Sequence, residues 1–348
     1  MNKRQAATRR DFLKTAGLGL AMTTTGISAA QPADEALSPT PRDRRLPREV
    51  WVGTLSLAGL SADTPEQMVR RIFARMEQMT NYQPDIVCLP EVFPFMNVSK
   101  PPAMAECLQL SAEVVAGSAA SFAKQNKCYV VCPVYTQAEG RYYNSAVIID
   151  RTGKILGEYR KTHPTIDEME QGVMPGPDDP PVFDTDFGKI GAQICFDVNW
   201  PDGWRKLGDK GAEIVFWPSA FAGGRMLNAW ACMNKYHVVT STRHDPTRII
   251  DVTGDELAAT GRFRTWVCAP VNLEKAFVHV WPYPRQIEAL QAKYGRGVRV
   301  RILGDEEWAI IESRTPDLKI ADALKEFEIP VHREHIARAD AAQKRLRR

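Results

Sequence analysis

Three residues of reactive type stand where expected strands stop. The apolar, β-prone run Ile190-Gly191-Ala192-Gln193-Ile194 ends on Cys195, and the following Phe196-Asp197-Val198-Asn199-Trp200-Pro201 cannot prolong a strand. Glu91 follows the short apolar stretch Asp85-Ile86-Val87-Cys88-Leu89 directly after Pro90, which breaks the ladder. Lys161 ends the run that begins at Ile155. Meeting in one cleft, the three would form a coherent set. A desolvated carboxylate takes the proton of a thiol, and an ammonium beside them lowers the thiol pKa and steadies an oxyanion. Each also has a plainer reading by residue type alone: a small buried apolar cysteine, a solvated edge lysine, an acid in a loop. Spacing does not decide between these readings.

The surrounding elements alternate. Val50 to Leu57 reads as a first core strand, and Thr64-Pro65-Glu66 opens a helix with Met68, Ile72, Met76 and Met79 on one face. A helix follows over Leu108–Lys127, a strand over Cys128–Tyr135, and a hairpin over Tyr142–Lys161 turning at Arg151-Thr152-Gly153-Lys154. Thr165 to Pro181 reads as a long acidic loop. Beyond it come the Cys195 run, a helix from Trp204 to Gly211, and a strand from Ala212 to Ala220. A helix over 226–237, a strand over 238–241 and a second hairpin over 249–257 complete the alternation. It argues α/β with mixed sheets. From Phe277 the pattern weakens, Trp281-Pro282-Tyr283-Pro284 interrupts it, and a charged helical tail is expected after that.

With 348 residues, 44% of them hydrophobic, the chain can bury a large core, and a net charge of +3 gives no reason to expect nucleic acid as partner. Seven cysteines are an odd number and do not read as a disulfide framework. Cys128 and Cys132 should share a strand face, but no Cys/His set completes a zinc site, so no metal is expected. Residues 1–30 carry Arg9-Arg10-Asp11-Phe12-Leu13-Lys14, a moderately apolar run and small residues at 28–30. That pattern resembles a bacterial twin-arginine export signal, which implies a periplasmic or secreted protein. Residues 31–48 read as a Pro-rich linker, 49–280 as the main domain and 281–348 as a C-terminal extension, with no membrane span in the mature protein.

Leu89-Pro90-Glu91, Tyr159-Arg160-Lys161-Thr162-His163 and Gly191-Ala192-Gln193-Ile194-Cys195-Phe196-Asp197 followed by Pro201 resemble, in order, the three signature blocks of the nitrilase (carbon–nitrogen hydrolase) superfamily. The resemblance implies a four-layer α-β-β-α sandwich, usually a homodimer paired through the cysteine-bearing region. It assigns Glu91 as general base, Lys161 as oxyanion stabiliser, Cys195 as nucleophile, and the Phe196 N–H as the other half of the oxyanion hole. A second glutamate is expected in the loop after the lysine. Glu168 is nominated by the run Lys161-Thr162-His163-Pro164-Thr165-Ile166-Asp167-Glu168, with Glu170 as rival. No cofactor is implied.

The substrate is less legible. Phe196-Asp197 after the cysteine is closer to the amidase and carbamoyl-hydrolase branches than to the Trp-Glu of nitrilases. The arginine pair that carbamoyl-D-amino acid hydrolases carry soon after the cysteine is replaced by Val198-Asn199-Trp200, leaving Arg225 or Arg243 as candidate clamps. Tyr135, Asn199, Trp200, Trp204 and Phe221 are candidate pocket residues. The expectation is hydrolysis of a small linear amide or carbamoyl compound. N-carbamoyl hydrolase and nitrilase are alternatives within the class, and acyltransferase or non-catalytic binding protein are alternatives outside it.

Overall fold

The computed structural model describes residue 46 and residues 48–347, so the export-signal reading and most of the linker lie outside the described residues. Two six-stranded mixed sheets form the centre. The first runs β12 (Trp266–Asn272), β1 (Glu49–Leu55), β2 (Ile86–Cys88), β3 (Tyr129–Ala138), β4 (Arg141–Ile149), β5 (Ile155–Arg160). The second runs β11 (Glu256–Ala259), β10 (Arg248–Ile250), β9 (His237–Thr242), β8 (Ile214–Ser219), β7 (Lys189–Ala192), β6 (Val182–Asp184). In each sheet a parallel trio, β1-β2-β3 or β7-β8-β9, is flanked by antiparallel strands.

Strand periodicity sorts the side chains into layers. On β3, Tyr129 and Val131 point to the other sheet, while Val130, Cys132 and Val134 meet the outer helices together with Cys128. On β8, Ile214 and Phe216 face inward, and Val215 and Trp217 face out. The outer face of the first sheet is covered by α1 (Pro65–Glu77), capped by the Thr64 hydroxyl, and by α2 (Met104–Val114) and α3 (Ala120–Asn126). α5 (Pro201–Asp209) and α6 (Arg225–Asn234) cover the second. The result is a four-layer α-β-β-α sandwich. Hydroxyls tie its two sheets together: Thr54 Oγ1 donates to Thr240 O, and Ser241 Oγ to Leu55 O.

Three local expectations are corrected. The helix expected from Leu108 starts at Met104 and contains a π turn, Val115–Ala119, joining α2 to α3. The acidic loop after Lys161 contains a short helix, α4 (Ile166–Glu170), because Thr165 and Glu168 form a reciprocal capping box. The strand carrying the cysteine stops at Ala192, and Cys195 opens a short 3-10 turn.

The tail is also more than a charged helix. β13 (Lys275–His279), β15 (Trp308–Ser313) and β14 (Val298–Leu303) form an antiparallel sheet packed by α7 (Pro284–Tyr294) and α8 (Ile320–Glu326), and followed by α9 (His332–Leu346). The alternation Val298-Arg299-Val300-Arg301 is a half-buried strand pattern. This sheet takes β13 from before residue 280 and the rest from after it, so that expected boundary runs through one hydrogen-bonded unit. Among the described residues no helix is long and apolar enough to cross a membrane.

Candidate active site

Two backbone corners shape the site. Val92, directly after Glu91, has φ of 36°, and Cys195 has φ of 46°. Neither is glycine, and a β-branched residue in the left-handed region is a strong outlier, costing about 1–3 kcal/mol that the surroundings must offset. At Cys195 the offsetting contacts are visible. The fully buried Asp197 carboxylate accepts from Ile194 N (2.9 Å) and Tyr159 Oη (2.7 Å) on Oδ2. On Oδ1 it accepts from His163 N (2.8 Å), with His163 Nδ1 at 2.9 Å. Trp217 Nε1 donates to Cys195 O (3.1 Å), and Trp204 Nε1 to Asp197 O (3.1 Å). Asp197→Asn puts an amide N–H where only donors converge. It should lower stability by about 2–4 kcal/mol and reduce turnover; a thermal melt and kcat unchanged from the parent would refute this clamp role.

Behind the corner lies a compact polar cluster. Lys161 Nζ donates to Glu91 Oε1 (2.9 Å) and Glu168 Oε2 (2.7 Å). Asn144 Nδ2 donates to Glu91 Oε1 and Glu168 Oε1, both at 2.8 Å, and Ala220 N donates to Glu91 Oε2 (2.8 Å). Thr165 N donates to Glu168 Oε2 (2.8 Å), so the capping box that makes α4 also aims its acid at the lysine. Glu91, Asn144 and Lys161 are all buried.

The electrostatics divide the roles. Burial pushes the Cys195 thiol up to about 12, and the Glu91 charge adds to the rise; Lys161 and bonds from Ser219 and Ala220 only partly oppose it. For Lys161, burial pulls the pKa down, but Glu91, Cys195 and Glu168 outweigh it and the ammonium is held above the ordinary lysine value. Glu168 is pushed up by burial and pulled further down by Lys161, ending below the usual carboxylate range. The resting thiol is therefore protonated beside an acceptor and a fixed cation. The 3-10 turn first closes with Asp197 N on Ile194 O, so the N–H groups of Cys195 and Phe196 have no partner within that turn.

Of the residues nominated from sequence, Glu91, Lys161, Glu168 and Cys195 come together, whereas Glu170 is exposed. Tyr135 stacks on Phe95 (5.7 Å) within electrostatic reach of Glu168 and Glu91. Trp200 stacks parallel on His163 at 4.0 Å with Phe196 edge-on to it. Asn199 Nδ2 turns back to Phe196 O (3.0 Å), and Phe221 is half-exposed against Trp217. Trp204 is corrected: it is fully buried beside Trp230 and belongs to the core under α5 and α6. Arg243 is held by Asn97 Oδ1 (2.6 Å), and Arg225 is exposed at the start of α6. Sequence reasoning missed Asn144, Asp197 and the Ser219–Ala220 strand end. Asn144 sits in a strand otherwise rich in Tyr, Val and Ile, and an amide in such a run is the signal that was available.

The sequence pattern of the carbon-nitrogen hydrolase family matches residues 55–274. A beta-ureidopropionase of Arabidopsis thaliana is 31% identical over 224 residues, covering 57% of this chain and 54% of that protein. A deaminated glutathione amidase of Synechocystis is 31% identical over 169 residues, covering 41% of this chain and 62% of the relative. The matches thus span between half and two thirds of these relatives' own lengths. A carbon-nitrogen hydrolase from Helicobacter pylori G27 has the same fold, with a TM-score of 0.59 at 20% identity over 66% of this chain and 90% of the other. Sandwich, ordered blocks and family match agree: the chain belongs to the carbon-nitrogen hydrolase family.

Proposed function

We propose that the protein hydrolyses a non-peptide carbon–nitrogen bond of a small linear amide or carbamoyl compound through a Cys195 thioester. The observation that carries this reading is the buried, directly bonded Glu91–Lys161 pair (2.9 Å), both of whose charges act on the Cys195 thiol. A lysine held charged cannot serve as base, which leaves Glu91. Glu91 takes the thiol proton as sulfur attacks the carbonyl carbon. The tetrahedral oxyanion is stabilised by Lys161 Nζ and the Phe196 N–H. Collapse breaks the C–N bond, and Glu91 returns the proton to the leaving amine or ammonia. Water then attacks the thioester with Glu91 again as base, releasing the carboxylic or carbamic acid and restoring the thiol. Glu168 and Asn144 hold Lys161 and Glu91 in register.

The test is an amide and carbamoyl panel followed by mass spectrometry of Cys195. An acyl adduct and released ammonia or amine are expected; neither appearing with any substrate would sink the hydrolase reading. A second expectation follows from the raised thiol pKa. Alkylation of Cys195 by a small neutral reagent should rise about tenfold per pH unit through pH 9–10. A plateau below pH 8 would mean a preformed thiolate–lysine pair and would overturn the neutral-thiol mechanism.

Two further parts of the reading concern the whole molecule. Arg9-Arg10 and its flanks support twin-arginine export to the periplasm or beyond, and unchanged localisation of a doubled Arg9→Lys, Arg10→Lys chain would count against it. Exposed Trp200 at the start of α5, and Met226 and Met233 on α6, support a homodimer through that face, which a monomeric mass by light scattering would exclude.

A further inference from the structure

A cavity of about 380 Å³ is walled by neighbours of the polar cluster rather than by the cluster's own residues. Its wall includes Val92, Phe95, Met96, Met104, Cys107 and Tyr135, with Gln171 as its only amide. Three of these residues tie it to the chemistry. Val92 is the strained residue next to Glu91, and Tyr135 feels the charges of Glu168 and Glu91. Gln171 caps α4, which carries Glu168. None of the described residues lining the cavity is charged, and the two arginines nominated as carboxylate clamps are not among them.

We propose that this cavity is the specificity subsite and that it selects a substrate bearing an uncharged, apolar substituent on the amide. The proposal rests on the hydrolase reading above. The physical reason is that apolar walls gain with every methylene they cover, whereas a charge brought into them has no partner. A carboxylate would in addition meet the field of Glu91 and Glu168, which Lys161 only partly offsets, and an ammonium would gain from that field but find no lining acid to pair with. The Phe95–Tyr135 stack gives the cavity a flat wall, which suits an extended alkyl or aryl group.

The experiment uses two matched series, because the substituent can sit on the acyl carbon or on the leaving nitrogen. Acetamide to hexanamide are compared with glutaramate and 5-aminopentanamide. N-butylacetamide is compared with N-acetyl-β-alanine. In the productive series kcat/KM should rise roughly fourfold per methylene and fall about a hundredfold or more on adding a terminal charge. Met104→Arg should shift the ratio of neutral to carboxylate substrate at least about tenfold toward the carboxylate. Calorimetry with a Cys195→Ala chain gives a readout without turnover: it should bind hexanamide and not glutaramate. Charged amides turned over as well as neutral ones would overturn the subsite and leave the hydrolase reading standing. Selective binding of hexanamide with no hydrolysis of any member would overturn the hydrolase reading and leave the subsite. Neither binding nor turnover of the neutral amides, with the charged amides and the carbamoyl panel inert as well, would overturn both.

Discussion

Replacing Cys195 by serine should lower kcat/KM by a factor on the order of 10⁵–10⁶ while leaving the fold intact. The fold should survive because the corner at Cys195 is held through main-chain atoms: Trp217 Nε1 grips Cys195 O, and Asp197 grips Ile194 N. Neither contact involves sulfur. Activity should not survive, because Glu91 would face a hydroxyl far less acidic than the thiol it is placed to deprotonate, and the resulting ester intermediate is a different chemical species. The check is paired: a thermal melt close to that of the parent, and no acyl adduct after incubation with substrate. Turnover within tenfold of the parent would remove Cys195 from the mechanism.

Lys161→Met should cost both catalysis and stability. The substitution leaves Glu91 and Glu168 in one buried cluster, joined by Asn144 Nδ2 and without their cation. Breaking a buried ion pair from one side costs about 3–5 kcal/mol. Loss of one oxyanion donor lowers kcat by about 10²–10³. The pH signature separates this from simple loss of packing. In the parent, Glu168 is held below its unfolded value, so its stability contribution is present above the ordinary carboxylate range and is lost as pH falls through its folded value. In the variant, one of the two carboxylates should be raised instead. Its contribution is then present below the unfolded value and lost as pH rises. Urea melts should therefore show a smaller gap between variant and parent at about pH 5 than at pH 7. A gap that does not change with pH would refute shared charge as the cause.

The sandwich was legible because strand alternation and proline breaks mark its layers. Thr64-Pro65 opened α1 as read, and the Tyr142–Lys161 hairpin appeared where its turn residues stand. The reactive trio was legible by type and by motif order. What joins it was not. Asn144 is opposite Tyr135 in β3 and sits two strands away from Glu91, a proximity that only the assembled sheet creates. Asp197 reads in sequence as an ordinary turn acid, yet it collects donors from Tyr159 and His163, which come from β5 and the segment after it. Trp204 was misread because an aromatic near a thiol looks the same in sequence whether it walls a pocket or fills a core. The third sheet was missed because Trp281-Pro282-Tyr283-Pro284 interrupts the chain between its first strand and the other two.

β1 lies between β2 and β12, with Glu49 opposite Asn272. A ribosome delivers those two residues far apart in time. Until the second emerges, β1 has an unsatisfied edge, and Val50, Val52, Val267 and Val271 cannot close the same core. Pairing at so great a sequence separation carries a heavy loop-closure entropy and slows the ordering of the sheet. Glu91, which follows β2 next to β1, is therefore made early and secured late. The nascent chain must pass through a long interval in which its reactive groups exist but its site does not.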